Sequence, residues 1–303
     1  MEYRHPMNIY AAWRKDEENL VLSSSGGFAA SLSEKWVNEG GVVYGAAFVP
    51  PFSVRHIRCT TLEEVSKLRG SKYVQSDMTG IYSLIEKDIE QSKSILFFGT
   101  PCQVAGVVNR FNDKIFTVDL ICHGTPSFKI FESSIPSEIK SLKSDNIQFR
   151  KNTEFRFSIL YNNTEVWSRP LKHDLYLKGF FTGLFFRECC YHCHYARAER
   201  ISDITIGDFW GINKNALNCK AENGVSLVMA NTTIGKQQVQ SLADDIVIVH
   251  RTLDEAIINN TQLVRPKKKT FRSILFHSLY PYLGFKWATI FSIPDIVIRN
   301  LLR

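Results

Sequence analysis

The sequence predicts an α/β fold, a mixed sheet with a parallel βαβ core and helices packed around it, plus an α+β cysteine-containing second part. Three observations lead there. Short, nearly unbroken apolar runs at residues 42–49 (VVYGAAFV) and 94–98 (SILFF) have the composition of strands buried on both faces. Stretches of helical spacing alternate with these runs. From residue 147 to 166 the pattern turns to antiparallel strands around Asn162-Asn163, a pair suited to a hairpin turn.

In chain order, residues 20–41 read as a Ser/Gly turn leading into a helix over 28–38. Ser23, Ser24 and Ser25 offer capping oxygens, Gly26 and Gly27 allow close backbone approach, and Gly40-Gly41 ends the helix. The strand at 42–49 is followed by a short helix at 62–68, a break at Gly70, a polar loop (SKYVQSD) and a helix at about 80–91. A βαβ unit comes next: strand 94–98, turn Gly99-Thr100-Pro101, helix 103–111 and strand 115–121. Cys102 follows the end of the first strand and Cys122 the end of the second. Parallel strands bring those ends to one sheet edge, where α/β folds place ligands. A helix is expected over 128–142, the antiparallel strands after it, an aromatic-rich stretch at 176–186, strands at 201–211 and 225–231, and helical stretches to about 264. The segments are therefore taken as 1–143, 144–264 and a basic, aromatic tail, 265–303.

Composition narrows the function classes. The chain has 303 residues, 44% hydrophobic and 22% charged, which is ordinary globular usage. The first twenty residues lack an apolar signal core, and no uncharged run has membrane-spanning length, so a cytoplasmic protein is expected. Eight of the 37 Lys and Arg residues, but one of the 30 acids, lie in 265–303. The body is thereby balanced, which removes the electrostatic case for nucleic-acid binding. The tail pairs a basic run (RPKKKTFR) with aromatic, aliphatic sequence broken by Pro281, Lys286 and Pro294. It suits either peripheral contact with the inner face of a membrane or a helix pair packed on the body.

Seven cysteines in a chain of cytosolic character favour metal or redox chemistry over disulfides. Cys190 and Cys193 form C-x-x-C, which zinc, iron–sulfur and dithiol sites all use. Adding Cys102 and Cys122 makes four thiolates, the number a [4Fe–4S] cluster needs. Alternatively Cys102 and Cys122 are small core residues, and His192 or His194 completes a zinc site. Cys59, Cys189 and Cys219 read as structural. His123, next to Cys122, is the one candidate for proton or hydrogen-bond donation, unless it is simply packed in a turn.

Six motifs occur in order: SSSGG, GSKYVQSD, FFGTPCQVAG, VDLICHGTPS, CYHC with RISDITIGDFWG, and GVSLVMANT. Together they resemble the coenzyme F420 hydrogenase/dehydrogenase beta-subunit family over about residues 10–264. The resemblance implies an FAD-dependent iron–sulfur oxidoreductase, with Cys102, Cys122, Cys190 and Cys193 as ligands of a [4Fe–4S] cluster. It implies FAD pyrophosphate binding by Ser24, Ser25, Gly26 and Gly27, where helix N-terminal amides suit phosphate. Ser71, Lys72, Tyr73 and Gln75 would line the flavin, Lys72 neutralising negative charge, and Gly99, Thr100 and Gln103 would approach its ring. The ferredoxin-like segment of many relatives is not in this sequence, so one cluster and an electron donor such as ferredoxin are expected. Similar proteins accompany bacterial surface-polysaccharide pathways, which points to a sugar or lipid-linked glycan precursor as substrate. An electron-transfer subunit and a zinc-bearing scaffold are the competing functions.

Overall fold

Strands account for most of what positions the site. The computed structural model describes residues 2–21, 23–141, 144–151, 154–213, 217 and 224–301. Cys219 lies outside the described residues. In chain order the first half comprises β1 (Asn8–Arg14), α1 (Glu17–Val21), α2 (Phe28–Asn38), β2 (Val42–Val49), β3 (Ser53–Cys59), α3 (Leu62–Ser66), α4 (Ile81–Glu90), β4 (Ile95–Gly99), α5 (Pro101–Phe111) and β5 (Phe116–Leu120). Then come α6 (Phe128–Ser134), α7 (Ser137–Lys140), β6 (Asn146–Lys151), β7 (Glu154–Tyr161), β8 (Thr164–Pro170), α8 (Leu175–Thr182) and α9 (Glu188–Tyr191). The chain continues through β9 (Ile204–Asp208), β10 (Ser226–Ala230), α10 (Thr233–Gln240), β11 (Ile246–Arg251), α11 (Leu253–Ile258), α12 (Phe271–Ser292) and α13 (Pro294–Leu301).

Among the described residues eight strands form one sheet in the order β11-β1-β10-β9-β5-β4-β2-β3. The pairs β2/β4, β4/β5 and β5/β9 are parallel, as the βαβ pattern predicts. The outer pairs are antiparallel. Because β1 and β9 are both antiparallel to β10, β1 runs in the same direction as the parallel strands. Five strands, β1, β2, β4, β5 and β9, thus end at one edge. Alternation sorts their side chains: Val43, Leu96 and Val118 meet Phe28, Leu32 and Trp36 of α2, while Val42, Tyr44, Ile95 and Phe97 meet α4 and α5.

Three departures from the sequence expectations have local causes. Residues 246–251 (IVIVHR), expected in a helical stretch, form β11, because pairing with β1 outweighs their local pattern. β1 and β3 were not anticipated; β3 (SVRHIRC) hides its alternation behind Arg55, His56 and Arg58. The helix expected over 128–142 divides into α6 and α7 at Pro136.

Strands β6, β7 and β8 make a separate sheet, and Asn162 and Asn163 adopt φ of 49° and 58° in the turn between β7 and β8. Its apolar face, with Phe149, Phe157 and Ile159, shares an aromatic-rich core with Phe131, Tyr176, Phe185 and Phe276. The 144–264 segment therefore both builds this small sheet and supplies β9, β10 and β11 to the large one.

Candidate functional site

The shared carboxyl edge opens into a cavity of about 620 Å³, within the range that holds a cofactor-sized ligand. Three loops from distant parts of the chain form its walls.

The first is the Ser/Gly loop after β1. Gly26 sits where an added Cβ would lie 2.0 Å from the Ala12 carbonyl oxygen and 2.6 Å from the Ser226 nitrogen, so only glycine lets β1 and β10 close on the loop. Gly27 has φ of 82° and starts α2 with no side-chain cap. The first turn, Phe28, Ala29 and Ala30, faces the cavity. An α-helix leaves its first amides without intrahelical partners, and here they meet the cavity with the positive end of the helix dipole behind them. Ser25 Oγ, also at the cavity, is buried without a hydrogen-bond partner. Ser24 Oγ accepts from the Ser71 amide at 3.0 Å and ties this loop to the second.

Residues 71–76 form that second wall. Lys72 Nζ donates to the carbonyls of Leu68 and Arg69 at 2.7 Å each and of Lys67 at 3.4 Å. Its ammonium thus closes the turn after α3 while its side chain lines the cavity. Burial pulls its pKa down to about 7, against an opposing pull from Cys59. Tyr73 stacks on Phe180 with centroids 4.5 Å apart, and the Gln75 amide donates to the Pro126 carbonyl at 3.2 Å. Phe155, Phe181 and Trp210 extend this aromatic wall; Phe155 lies 4.5 Å from Phe181 and 6.0 Å from Trp210. The Arg150 guanidinium lies over both Phe155 and Trp210, at 5.2 and 5.5 Å.

The third wall is the start of α5. Gln103 Oε1 accepts from Thr100 N and Thr100 Oγ1, each at 3.0 Å, and Pro101 occupies the first turn. Gly99 precedes this turn on the cavity wall. Gln103 Nε2 donates to Ser76 Oγ at 2.9 Å, Ser76 Oγ bonds His56 Nδ1 at 2.9 Å, and His56 Nε2 bonds the Phe98 carbonyl at 2.9 Å. A carbonyl only accepts, so the His56 proton is on Nε2 and Ser76 donates to Nδ1. Burial holds the His56 pKa down at about 4, so the imidazole is neutral. Sequence inspection missed His56 and Ser76. No local pattern signals them, because residues 53–59 become a strand by pairing with β2 rather than by a clear alternation of their own.

Cys102 and Cys122 also line the cavity; Cys102 is exposed, Cys122 half-buried. Thr100 Oγ1 is 3.2 Å from Cys102 Sγ, and the Gly124 amide donates to Cys122 Sγ at 3.4 Å. Cys190 Sγ is 3.9 Å from the Thr125 carbonyl oxygen. Burial pushes the Cys122 thiol up to about 12 against the lowering effect of the Gly124 amide, with Cys102, Cys190 and Cys193 adding smaller upward contributions. The four cysteines singled out in the sequence are therefore electrostatic neighbours. Among the described residues no three Cys, His, Asp or Glu side chains close on a single-ion site. His192 turns its Nδ1 toward the Glu188 carbonyl at 3.4 Å, Cys189 is exposed and Cys59 is buried in the core. His123 lines the cavity; its Nδ1 faces Gln262 Nε2 at 2.9 Å, which leaves its proton on Nε2. Burial, with Lys267 adding to it, lowers its pKa to about 4.

The protein is thus an α/β protein whose sheet carries, at its carboxyl edge, a cavity lined by an open helix N-terminus and by Cys102 and Cys122. The family model that describes the C terminus of the coenzyme F420 hydrogenase/dehydrogenase beta subunit matches residues 92–256, more than half of the chain. The chain belongs to this family, which places it with the oxidoreductases. It is also similar to a chain of the F420-reducing [NiFe] hydrogenase complex from Methanosarcina barkeri, solved after xenon derivatization. That similarity covers 86% of this chain and 91% of the other at 20% identity, with a TM-score of 0.58, and it shows a common fold. No curated protein matches the chain.

Proposed function

We propose that the chain is an iron–sulfur flavoprotein oxidoreductase, in which electrons from a partner protein reach FAD by way of a [4Fe–4S] cluster and pass to a substrate. The observation that carries this is the meeting of Cys102 and Cys122 with an uncapped helix N-terminus at one cavity, with Cys190 and Cys193 near enough to Cys122 to act on its thiol. FAD and the cluster would supply the coupling between one-electron and two-electron chemistry. The chain's own residues hold, orient and shield. Cys102, Cys122, Cys190 and Cys193 hold the cluster. Gly26 and Gly27 let the α2 amides approach the pyrophosphate, with Ser25 Oγ as an unused polar group beside them. Tyr73, Phe155 and Trp210 give the cavity an aromatic wall against which a flat ring system could pack. His123, kept neutral, offers its Nε2 proton as a hydrogen-bond donor. The exposure of Cys102 supports electron entry from a docked donor such as ferredoxin. The substrate proposed, a sugar or lipid-linked glycan precursor, rests on the family resemblance.

Purification without oxygen tests the proposal, with an absorption spectrum and assays of iron, zinc and flavin on one sample. About four irons and one flavin per chain are expected. Stoichiometric zinc without flavin would overturn it in favour of a metal-bearing scaffold.

A further inference from the structure

We infer that the C-terminal helices seat the protein on an anionic membrane surface by shallow insertion of an aromatic ridge. A helix packed on a globular body normally turns its apolar face inward and a polar face to water. The second half of α12 obeys the first half of that rule only. Phe285, Ala288, Thr289 and Ser292 are buried, and Phe285 packs 5.6 Å from Phe185 in the aromatic core. The outward side is also apolar. Trp287 is 51% exposed and Phe291 53%, and their rings lie 6.1 Å apart one helical turn from each other. At the bend, where Gly284 takes φ of 67°, Tyr282 is 86% exposed and Leu283 40%. Two aromatics, a bend tip of Tyr and Leu, and no acid from residue 265 to 294 make an exposed patch that water alone does not favour.

Charge identifies the occupant. Lys286 lies beside the ridge, its Nζ 5.4 Å from the Trp287 ring centroid, and Lys268 is exposed at the head of the same segment. The one acid of residues 265–303, Asp295, is taken up by Arg272 at 3.1 Å. A segment so one-sidedly basic repels a second copy of itself and attracts anionic headgroups, each Lys or Arg near the surface contributing about fivefold. Trp and Tyr prefer the boundary between headgroups and acyl chains. No described helix is long and apolar enough to cross a membrane, so the ridge lies in the interface rather than spanning it. The RPKKK run that precedes α12 reaches the cavity wall: Lys267 Nζ donates to the Phe181 carbonyl at 3.3 Å.

The test uses the full chain and vesicles of phosphatidylcholine with or without phosphatidylglycerol, and it reads membrane binding independently of any cofactor. Co-sedimentation with the anionic vesicles that weakens as salt rises is expected, together with quenching of Trp287 by brominated acyl chains. Lys268→Gln/Lys286→Gln is expected to bind about thirtyfold more weakly. Trp287→Ser/Phe291→Ser should lose binding while keeping the wild-type circular dichroism spectrum, since both side chains are largely exposed. Three results would each overturn the inference: no binding to anionic vesicles, equal binding by the wild type and the lysine variant, or a wild-type dimer that the Trp287/Phe291 variant converts to a monomer without any vesicle effect.

Discussion

Helices α2 and α5 have eleven residues each, start at the same sheet edge and face the same cavity. They begin in opposite ways. α2 starts at a left-handed glycine with no side-chain cap, so its first amides are offered to whatever enters. α5 starts with Thr100 held by the Gln103 side chain and with a proline in its first turn, so its amides are partly used or absent. The open end suits an anionic ligand. The closed end fixes Cys102 one residue beyond that proline. Under the proposed function, two helices of the same length at one edge would divide the work, one binding and one positioning.

The comparison is easiest to break at Gly26. Gly26→Ala would drive a methyl group into the Ala12 carbonyl and the Ser226 amide, backbone atoms that cannot move aside. A loss of about 3 kcal/mol in urea unfolding is expected; a loss below about 0.5 kcal/mol would mean that the loop is not clamped as described.

A similar effect should appear with pH. The His56 imidazole has its pKa lowered to about 4 from 6.5 in the fold. Between those values the unfolded chain binds more protons, so stability is fully present above pH 6.5 and is lost as pH falls toward 4. The loss is about 3 kcal/mol for this one group, and His123, also lowered to about 4, adds in the same direction. His56→Phe should flatten the pH dependence of unfolding over that window; an unchanged slope would contradict burial of a neutral His56.

Opening the closed helix should cost less. Gln103→Ala removes the reach-back to Thr100 and the donor to Ser76, for an expected loss of about 1 kcal/mol. No change in unfolding midpoint would show that α5 does not need this closure. Cys102→Ser stands last on the stability scale. The residue is exposed, so a change within about 0.5 kcal/mol is expected, together with loss of bound iron.

Local patterns made the open helix and the cysteine edge legible. The bounds of α2 and β2 follow from Gly26-Gly27, Gly40-Gly41 and one apolar run, and the βαβ unit brings Cys102 and Cys122 to one edge. What could not be read was assembled from far apart. β1, β3 and β11 are strands because of their sheet partners, not their own alternation. His56 and Ser76 meet Gln103 only when β3 is in place. Phe155, Phe181 and Trp210 come from three segments of the chain. Lys72 lines the cavity, and the three carbonyls that engage its ammonium are set by where α3 ends, which the local sequence does not reveal.

The division between the two helices is tested most directly by assaying iron and flavin in two variants purified without oxygen. Gly27→Val, which adds a branched side chain at φ of 82° beside Arg14, is expected to lose flavin and keep iron. Cys102→Ser is expected to lose iron with its fold intact. Full flavin in the first variant and full iron in the second would contradict the roles assigned to both helices.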